Sequence, residues 1–371
     1  MKVRCNRDSL LSAFQMASSV VPARSPKPIL QNVKFSATSS ESLIMATDLE
    51  VGVRCQIEKV DVDQGGEAIL PTQRVISILR ALSDDEVELS NDGSQTQLAG
   101  KQSRFELLSD DPGLFPEIPV FEEKKTFHVI ASRLMRELIR RTVLATDVEN
   151  TRYALGGVLL ELSDDQIRLV GTDGRRLALA EGPAEGKGGH KTNESPHVVP
   201  TKAMRLLERV LHNDDSEIAL HMKANEMLLR TQRATVYSRL VEGRFPKYQD
   251  VIPKEVNRTV EFLAAPMLTA VKQAAIVTSD ESRGVKFHFE SGQLVLTAKT
   301  AEVGQSQVTL PLSYEDDAVQ ITFDPRYISD FLGVLDPETS VTAAFSGDNA
   351  ASLWKTADGY SYVIMPLTTE Q

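Results

Sequence analysis

The pattern of apolar and polar positions predicts the same order of elements three times along the chain. Apolar residues recur at helical spacing over residues 8–20, 132–145 and 266–278, which predicts three amphipathic helices. Each predicted helix is followed by two short runs of β-branched and apolar residues around a turn-like segment, which predicts a pair of strands. These pairs comprise residues 33–36 and 43–48, 158–162 and 167–173, and 285–289 and 294–299.

A second helix follows in each copy, and a proline marks its start. Pro71, Pro200 and Pro325 recur at almost constant separation, and proline suits the first turn of a helix because its missing N–H has no partner there. Solenoid units repeat every 20–50 residues or so, so a repeat this long is a whole domain. We predict three copies of one domain, at residues 1–124, 125–255 and 256–371.

Segments between the copies differ in composition from the predicted elements. Residues 115–119 and 245–253 are bounded by prolines, which is typical of linkers between domains. Residues 182–196 are rich in Gly, Glu and Lys, and we expect them to form a flexible loop.

The strand pairs are hairpins and not βαβ crossovers, which predicts an α+β fold of antiparallel sheets with helices on one side. Hairpins leave exposed sheet edges, and a sheet continued from one domain into the next would use those edges. Six such domains could close into a circle, whereas three could not easily do so. A head-to-tail dimer is therefore the expected completion.

Both helices of the second copy carry cations on one face. Arg133, Arg136 and Arg140 share a face of the first helix, and Lys202, Arg205 and Arg209 share a face of the second. A single such face is most often a solvated surface, but two in one copy also fit a surface for DNA phosphate. No helix-turn-helix, zinc-finger or RRM signature is present, so a DNA contact here would be to the backbone and without sequence preference.

The amino-acid composition limits the classes of protein to which the chain can belong. The chain has 371 residues, 41% hydrophobic and 25% charged, as expected of a globular protein. It begins without a signal peptide and has no apolar run long enough for a membrane span. Its two cysteines, Cys5 and Cys55, form no CxxC pair and suit buried thiols in a reducing compartment. We therefore expect a cytoplasmic protein without a membrane partner.

The sequence contains only weak signals for a catalytic or metal site. Residues 171–176, Gly-Thr-Asp-Gly-Arg-Arg, resemble a phosphate loop but lack the Walker spacing, and a hairpin turn is the favoured interpretation. The six histidines are scattered and lack Cys partners or HExxH spacing, so we expect no metal and no cofactor. Two alternatives to a DNA-binding ring remain: a phosphate-handling enzyme built around residues 172–176, and a monomeric scaffold that displays peptides.

Four sequence segments together resemble one known family. They are residues 47–50 (TDLE), 171–177 (GTDGRRL), 240–248 (LVEGRFPKY) and 362–367 (YVIMPL). With the threefold repeat, they make the whole chain similar to the bacterial sliding clamp, the β subunit of the DNA polymerase III holoenzyme. The resemblance implies a head-to-tail homodimeric ring without catalytic activity, with helices lining a hole for double-stranded DNA and sheets outside.

The resemblance also implies partners and site residues. The partners would be the DNA polymerase III α subunit, the clamp loader δ subunit and other proteins that carry clamp-binding peptides. In addition to the cationic faces, the DNA contacts would include Arg24, Arg74, Arg104, Asn150, Arg152, Tyr153 and Lys202. The peptide pocket would comprise Leu155, Thr172, Gly174, Arg175, Arg176, Leu177, Pro246, Val251, Val363, Met365, Pro366 and Leu367. The dimer interface would comprise Phe105 and Leu107 on one side and Ile276 and Val277 on the other.

Overall fold

A computed structural model describes residues 1–122, 126–147, 149, 154–192 and 195–367. The chain forms two compact units. The first comprises Met1–Arg136, Leu162–Asp165 and Ala184–Leu240, and the second comprises Glu137–Glu161, Gln166–Pro183 and Val241–Gln371. The predicted second copy thus contributes to both units. The borders of the three predicted copies stay a prediction.

The described residues form six α-helices, which lie where the sequence pattern predicts them. They are α1 (Arg7–Ser18), α2 (Thr72–Ala81), α3 (Ser132–Val143), α4 (Thr201–Val210), α5 (Ala264–Ala274) and α6 (Pro325–Gly333). The Asn6 side chain caps α1 by accepting the Ser9 N–H at 3.0 Å, and Asp324 caps α6 by accepting the Arg326 N–H at 3.0 Å. Such caps satisfy backbone donors that the first helical turn leaves free. Short 3₁₀ turns lie at Pro28–Gln31, Pro112–Leu114, Tyr248–Asp250 and Ala275–Val277.

Antiparallel sheets make up the described part of the first unit. One sheet has the order β5-β1-β7-β8-β9, with β1 (Lys2–Asn6), β5 (Val60–Gln64), β7 (Glu86–Asn91), β8 (Gln95–Ala99) and β9 (Arg104–Leu108). The other has the order β14-β10-β16-β17-β18-β4-β3-β2-β6. Its strands are β2 (Asn32–Ala37), β3 (Ser42–Thr47), β4 (Val51–Gln56), β6 (Gly66–Pro71), β10 (Phe127–Ala131), β14 (Glu185–Lys187), β16 (Glu217–Met222), β17 (Glu226–Arg230) and β18 (Ala234–Arg239). Strand β15 (Val198–Pro200) leads into α4.

The nine-stranded sheet joins strands from two predicted copies. Strand β18 of the second copy pairs antiparallel with β4 of the first copy, with Val236 opposite Val53. Because this pairing uses what would otherwise be two open edges, the backbone groups of both strands are satisfied. The expected continuation of one domain's sheet into the next is confirmed within this unit.

The predicted linker after the first copy is a packed segment. Phe115 and Ile118 are buried against Met45 and Ile69. Farther along, Phe121 packs on strands β16 and β17. The segment therefore lies across the nine-stranded sheet from its first-copy strands to its second-copy strands. The segment thus connects the first copy to the second, and its apolar side chains bury area that an exposed linker would leave in water.

The expectation of a flexible loop at residues 182–196 is also wrong in its described part. Strand β13 (Arg176–Pro183) enters this segment, and β14 then pairs antiparallel with β10. Beyond β14, His190 is buried. A three-residue strand is too short to leave a recognisable alternation in the sequence.

A hydrogen-bonded pair of histidines holds this segment against β10. The His128 Nε2 lies 2.6 Å from the Ser163 carbonyl oxygen, which can only accept, so His128 carries its proton on Nε2. Its Nδ1 then accepts the His190 Nδ1–H at 2.7 Å, and the His190 Nε2 accepts the Met222 N–H at 3.1 Å. This arrangement leaves a proton on only one nitrogen of the His190 ring. Burial correspondingly lowers the pKa of His190 to about 4.

The described part of the second unit also consists of antiparallel sheets with helices. One sheet contains the run β11-β12-β13-β26-β25-β24-β19, with β11 (Gly157–Leu162), β12 (Gln166–Thr172), β19 (Arg258–Leu263), β24 (Ser340–Phe345), β25 (Ser352–Thr356) and β26 (Ser361–Ile364). The other has the order β22-β21-β20-β23, with β20 (Val285–Glu290), β21 (Gln293–Thr300), β22 (Gly304–Pro311) and β23 (Val319–Phe323). Trp354 lies in the core, edge-on to Phe262, Phe323 and Phe331.

No helix in the described ranges combines the length and the apolar character that crossing a membrane requires.

Candidate peptide pocket and cationic helix faces

The turn between β12 and β13 is built by its own side chains. The Thr172 hydroxyl donates to the Arg176 carbonyl oxygen at 2.7 Å and accepts the Gly174 N–H at 3.1 Å. The Asp173 carboxylate accepts the N–H groups of Arg175 and Arg176, both at 2.9 Å. Gly174 has a φ of 85°, which glycine adopts without the steric cost that a Cβ would add. The turn is therefore fixed before any ligand binds.

The Arg176 guanidinium ties this turn to the rest of the second unit. It contacts Asp173 at 3.0 Å, Asp330 at 2.5 Å and the Leu144 carbonyl oxygen at 2.6 Å. It also lies 4.5 Å from the centre of the Tyr327 ring. Only 10% of its side chain is exposed. Charge-assisted bonds at this burial hold the guanidinium in one position, so Arg176 is a rigid wall of the adjacent cavity.

Beside this turn lies a mostly apolar cavity of about 100 Å³. Nine of the twelve predicted peptide-pocket residues line it: Thr172, Gly174, Arg175, Arg176, Leu177, Pro246, Val251, Val363 and Met365. Strand pairing brings the distant parts together, because Leu177 of β13 lies opposite Val363 of β26. Leu155 is buried and not part of this lining, Leu367 lines a different groove, and Pro366 belongs to neither lining.

Tyr248 is a tenth lining residue. It ends the segment 240–248 that carries part of the resemblance, but it was not among the predicted pocket residues. Its hydroxyl donates to Glu161 at 2.8 Å. Arg168 lies 3.5 Å from the same hydroxyl and is itself bound by Glu181 at 2.8 Å. Burial, followed by the hydrogen bond to Glu161, raises the pKa of Tyr248. This network fixes the 3₁₀ turn Tyr248–Asp250, and with it the position of Pro246 and Val251.

The same geometry argues against a phosphate loop at residues 172–176. A phosphate cradle needs free backbone N–H groups that point at the ligand. Here the Asp173 carboxylate and the Thr172 hydroxyl accept those N–H groups. The interpretation as a hairpin turn is confirmed.

The cationic faces occur on α3 and α4 as predicted, but their members differ in availability. Arg205 and Arg209 are exposed and have no ion pair among the described residues. Arg140 is exposed. Arg133 pairs with Asp215 at 3.0 Å, although both side chains stay more than half exposed. The Arg136 Nε donates to the Glu208 carbonyl oxygen at 3.2 Å. These contacts orient the cations without neutralising the whole surface.

Two cations of these helices, Lys202 on the α4 face and Arg141 beside the α3 face, have structural contacts. Lys202 forms an ion pair with Asp48 and donates to the Val20 carbonyl oxygen at 3.1 Å, yet 46% of its side chain stays exposed. Arg141, next to Arg140, contacts Asp358 at 2.6 Å and the ring of Tyr360 at 5.0 Å, with only 13% of its side chain exposed. Arg141 therefore stabilises the second unit and is not part of the cationic surface.

The remaining predicted DNA contacts lie in different places. Arg24 and Arg74 are exposed and have no ion pair among the described residues. Arg104 is exposed at the start of β9, so it lies on a sheet edge and not on a helix. Asn150, Arg152 and Tyr153 lie outside the described residues.

Each unit has an open sheet edge with apolar side chains. In the first unit, β9 pairs only with β8 among the described strands. Phe105 and Leu107 are half-buried there, and Leu108 is 83% exposed. In the second unit, β22 is the corresponding edge strand. The turn after α5 leaves Ile276 75% exposed, and Val277 is half-buried.

Metal ligation finds no support in the described ranges: no group of three or more His, Cys, Asp or Glu side chains there is arranged to hold an ion. Three of the histidines nevertheless meet, since the ring of His221 stacks on His190 with centroids 5.3 Å apart. Their hydrogen bonds to backbone and to each other leave no shared vacant ligand position. Separation along the chain hid this cluster from sequence reasoning.

Comparison with known proteins gives one consistent result along the chain. Models of the N-terminal, central and C-terminal domains of the DNA polymerase III beta subunit match residues 1–119, 129–247 and 249–368. A beta sliding clamp of Chlamydia pneumoniae is 29% identical over 99% of both chains, and that of Escherichia coli is 27% identical over 99% of this chain and all of its own. The crystal structure of the Pseudomonas aeruginosa DNA polymerase III subunit beta is 28% identical, covers both chains completely and superposes with a TM-score of 0.90.

Proposed function

The chain belongs to the DNA polymerase III beta subunit family, the bacterial sliding clamps, and from this premise we propose that it is a DNA sliding clamp. Two copies close head to tail around duplex DNA and tether the replicative polymerase to it. The observation that carries this proposal is the threefold repetition, because models of the three family domains match successive thirds of the chain. The protein acts in the cytoplasm as a processivity subunit without a catalytic site of its own.

The open edges support the dimer. An uncovered edge strand presents unpaired N–H and C=O groups and tends to pair with another strand. We propose that β9 of one copy pairs with β22 of the other, with Phe105 and Leu107 against Ile276 and Val277 of the partner copy. A heterologous contact of this kind closes a ring when its rotation permits. Arg104 then belongs to the interface region as well as to the DNA contacts that the resemblance implies.

The cationic helix faces support loose contact with DNA. Positive charge without base-reading side chains comes from Lys202, Arg205, Arg133, Arg136 and Arg140, in a chain of net charge −11. Contacts made only to phosphate are sequence-independent and weaken as salt rises. A ring can therefore slide, because each phosphate contact is replaced by an equivalent one at the next position.

The apolar cavity supports peptide docking. Its rigid walls, Arg176 and Tyr248, and its apolar lining suit a short linear peptide with hydrophobic anchors. The partners would be the DNA polymerase III α subunit, the clamp loader δ subunit and other proteins carrying such peptides. One ring with two identical pockets can exchange these partners while it stays on DNA.

Retention on DNA tests the function. The protein is loaded onto nicked circular DNA by a clamp loader and separated from free protein by gel filtration, before and after one restriction cut. We expect it to stay on the circle and to slide off the linear product. Equal loss from both forms would reject topological retention.

A further inference from the structure

The exposed face of the sheet β22-β21-β20-β23 carries an aligned row of polar side chains. Strand register places Thr322 opposite Lys286, Lys286 opposite Thr297, and Thr297 opposite Gln307. Side chains of residues opposite each other in register project from the same face of a sheet. The row therefore crosses all four strands of this sheet.

A second row adds another cation. Lys299 lies two residues beyond Thr297 on β21, so it shares the same face, and Gln305 of β22 lies opposite it. With Arg283 at the margin, these side chains line a groove of about 870 Å³. We refer to the groove formed by Arg283, Lys286, Thr297, Lys299, Gln305 and Gln307 as the cationic platform.

Two of the platform's charges are uncompensated. Lys286 and Lys299 are exposed, and no acid in the described part of the chain pairs with either of them. Arg283 is held at its margin, with its Nε donating to the Asp280 carbonyl oxygen at 2.7 Å and its guanidinium 3.6 Å from the Asp280 carboxylate. Among the described residues of the lining, Glu281 is the one acid. In a chain of net charge −11, such a local positive field attracts an anionic partner.

The platform continues from the peptide pocket. Met365 lines the pocket, and its N–H donates to the Arg175 carbonyl oxygen at 2.9 Å. Two residues later, the Leu367 N–H donates to the Thr322 carbonyl oxygen at 2.8 Å, and Leu367 lines the platform groove. A ligand anchored in the pocket and extended along residues 365–367 thus reaches Lys286 and Lys299.

We propose that the cationic platform binds an acidic segment flanking the hydrophobic anchors of a docked peptide. This inference rests on the proposed peptide docking and adds a partner chemistry to it: carboxylates beside the anchor motif are selected over neutral residues. Long-range attraction of this kind chiefly raises the association rate and is weakened by salt. Gln305, Gln307 and Thr297 of the platform supply donors to the same carboxylates.

Fluorescence anisotropy with labelled peptides tests the proposal. All probes contain the same leucine and phenylalanine anchors. Two carry four glutamates before or after the anchors, and their matched controls carry four glutamines at the same positions. At 50 mM NaCl we expect one acidic peptide to bind about fivefold more tightly than its glutamine control, and this advantage to shrink at 500 mM NaCl.

Substitutions assign the effect to the platform. The double variant Lys286→Gln/Lys299→Gln should lose the preference for glutamate and still bind the glutamine peptides as the wild type does. Lys355→Gln, which removes an exposed strand lysine elsewhere in the second unit, should keep the preference.

Three results would overturn the inference. Equal affinity for acidic and glutamine peptides, or a preference that survives in the double variant, rejects the platform and leaves the peptide pocket standing. A preference that appears only after deletion of residues 368–371 assigns the platform to the chain's own tail and not to a partner. Failure of every peptide to bind rejects the pocket and the platform together.

Discussion

Replacing Arg176 by methionine should destabilise the second unit and abolish peptide binding. Methionine keeps most of the length of the side chain but donates no hydrogen bonds. The change removes the partner of Asp173, whose side chain is only 14% exposed, and the donor to the Leu144 carbonyl oxygen. The Asp330 side chain is 45% exposed, so water replaces Arg176 there at little cost.

The expected loss of stability depends on the buried charge of Asp173 that remains after the substitution. Removing one member of a buried ion pair costs about 3–5 kcal/mol, because the other charge stays buried without its partner. Asp173 still accepts two backbone N–H groups of its own turn, which places the cost at the lower end. We therefore expect the free energy of unfolding of the second unit to fall by about 3 kcal/mol. The neighbouring change Arg175→Met is the control, with an effect within about 0.5 kcal/mol because Arg175 is exposed.

The single tryptophan makes this measurable in the second unit alone. Trp354 is 1% exposed in its core, so its fluorescence in urea reports the unfolding of that unit. Anisotropy with an anchor peptide measures binding under native conditions. An Arg176→Met protein that unfolds within 0.5 kcal/mol of wild type, or binds the peptide normally, would refute the assigned role of Arg176.

Four further predictions address the first unit, the DNA contact and the dimer. Because burial lowers the pKa of His190 from 6.5 to about 4, the stability it contributes is complete above pH 6.5 and is lost as the pH falls toward 4. The loss reaches about 3 kcal/mol below pH 4 and about 2 kcal/mol at pH 5, and it is measured by urea unfolding at pH 7.5 and pH 5. A Cβ at Gly52 would lie 2.9 Å from the Ile118 side chain, so Gly52→Ala should lower the free energy of unfolding by about 1–3 kcal/mol. Arg205→Gln should weaken DNA binding equally on different sequences and reduce the slope of log K against log salt by about 1. Ile276→Asp should yield monomers in sedimentation at concentrations where the wild type is a dimer, because it places a charge in an apolar contact.

Each of these has a matched control. His190→Phe should flatten the acid-dependent loss of stability; a loss as large as that of wild type would contradict the role of His190. Gly347→Ala, which meets nothing within 4 Å, should leave stability unchanged. Lys355→Gln should leave DNA binding unchanged, and a sequence-dependent loss with Arg205→Gln would contradict phosphate-only contact. Val303 is an exposed residue just before β22. The variant Val303→Asp therefore shows whether any new charge near that edge, and not only one at Ile276, separates the two chains.

Sequence patterns predicted the helices and most strand pairs because both depend on local spacing. The helix α4 is a clear case: Met204, Leu207 and Val210 are buried, while Lys202 and Arg205 face outward. The turn at residues 172–176 was also predictable, since Thr, Asp and Gly at these positions satisfy their own backbone.

Features that depend on distant contacts were not predictable from spacing. Arg141 looks like part of a cationic face, but its partner Asp358 comes from the other end of the chain. The hydrogen-bonded pair of histidines joins His128 and His190, which are 62 positions apart in the sequence. Tyr248 becomes a pocket wall only because Glu161 and Arg168 hold its hydroxyl. In each case one side chain's role is set by groups that the sequence places far away.

The most direct test of the central claim is an electron-microscopic image of the purified protein loaded on duplex DNA. We expect a closed particle of two chains with six similar lobes, a central opening and the duplex passing through it. A compact particle without an opening, or a complex in which the duplex lies along the outside, would contradict it.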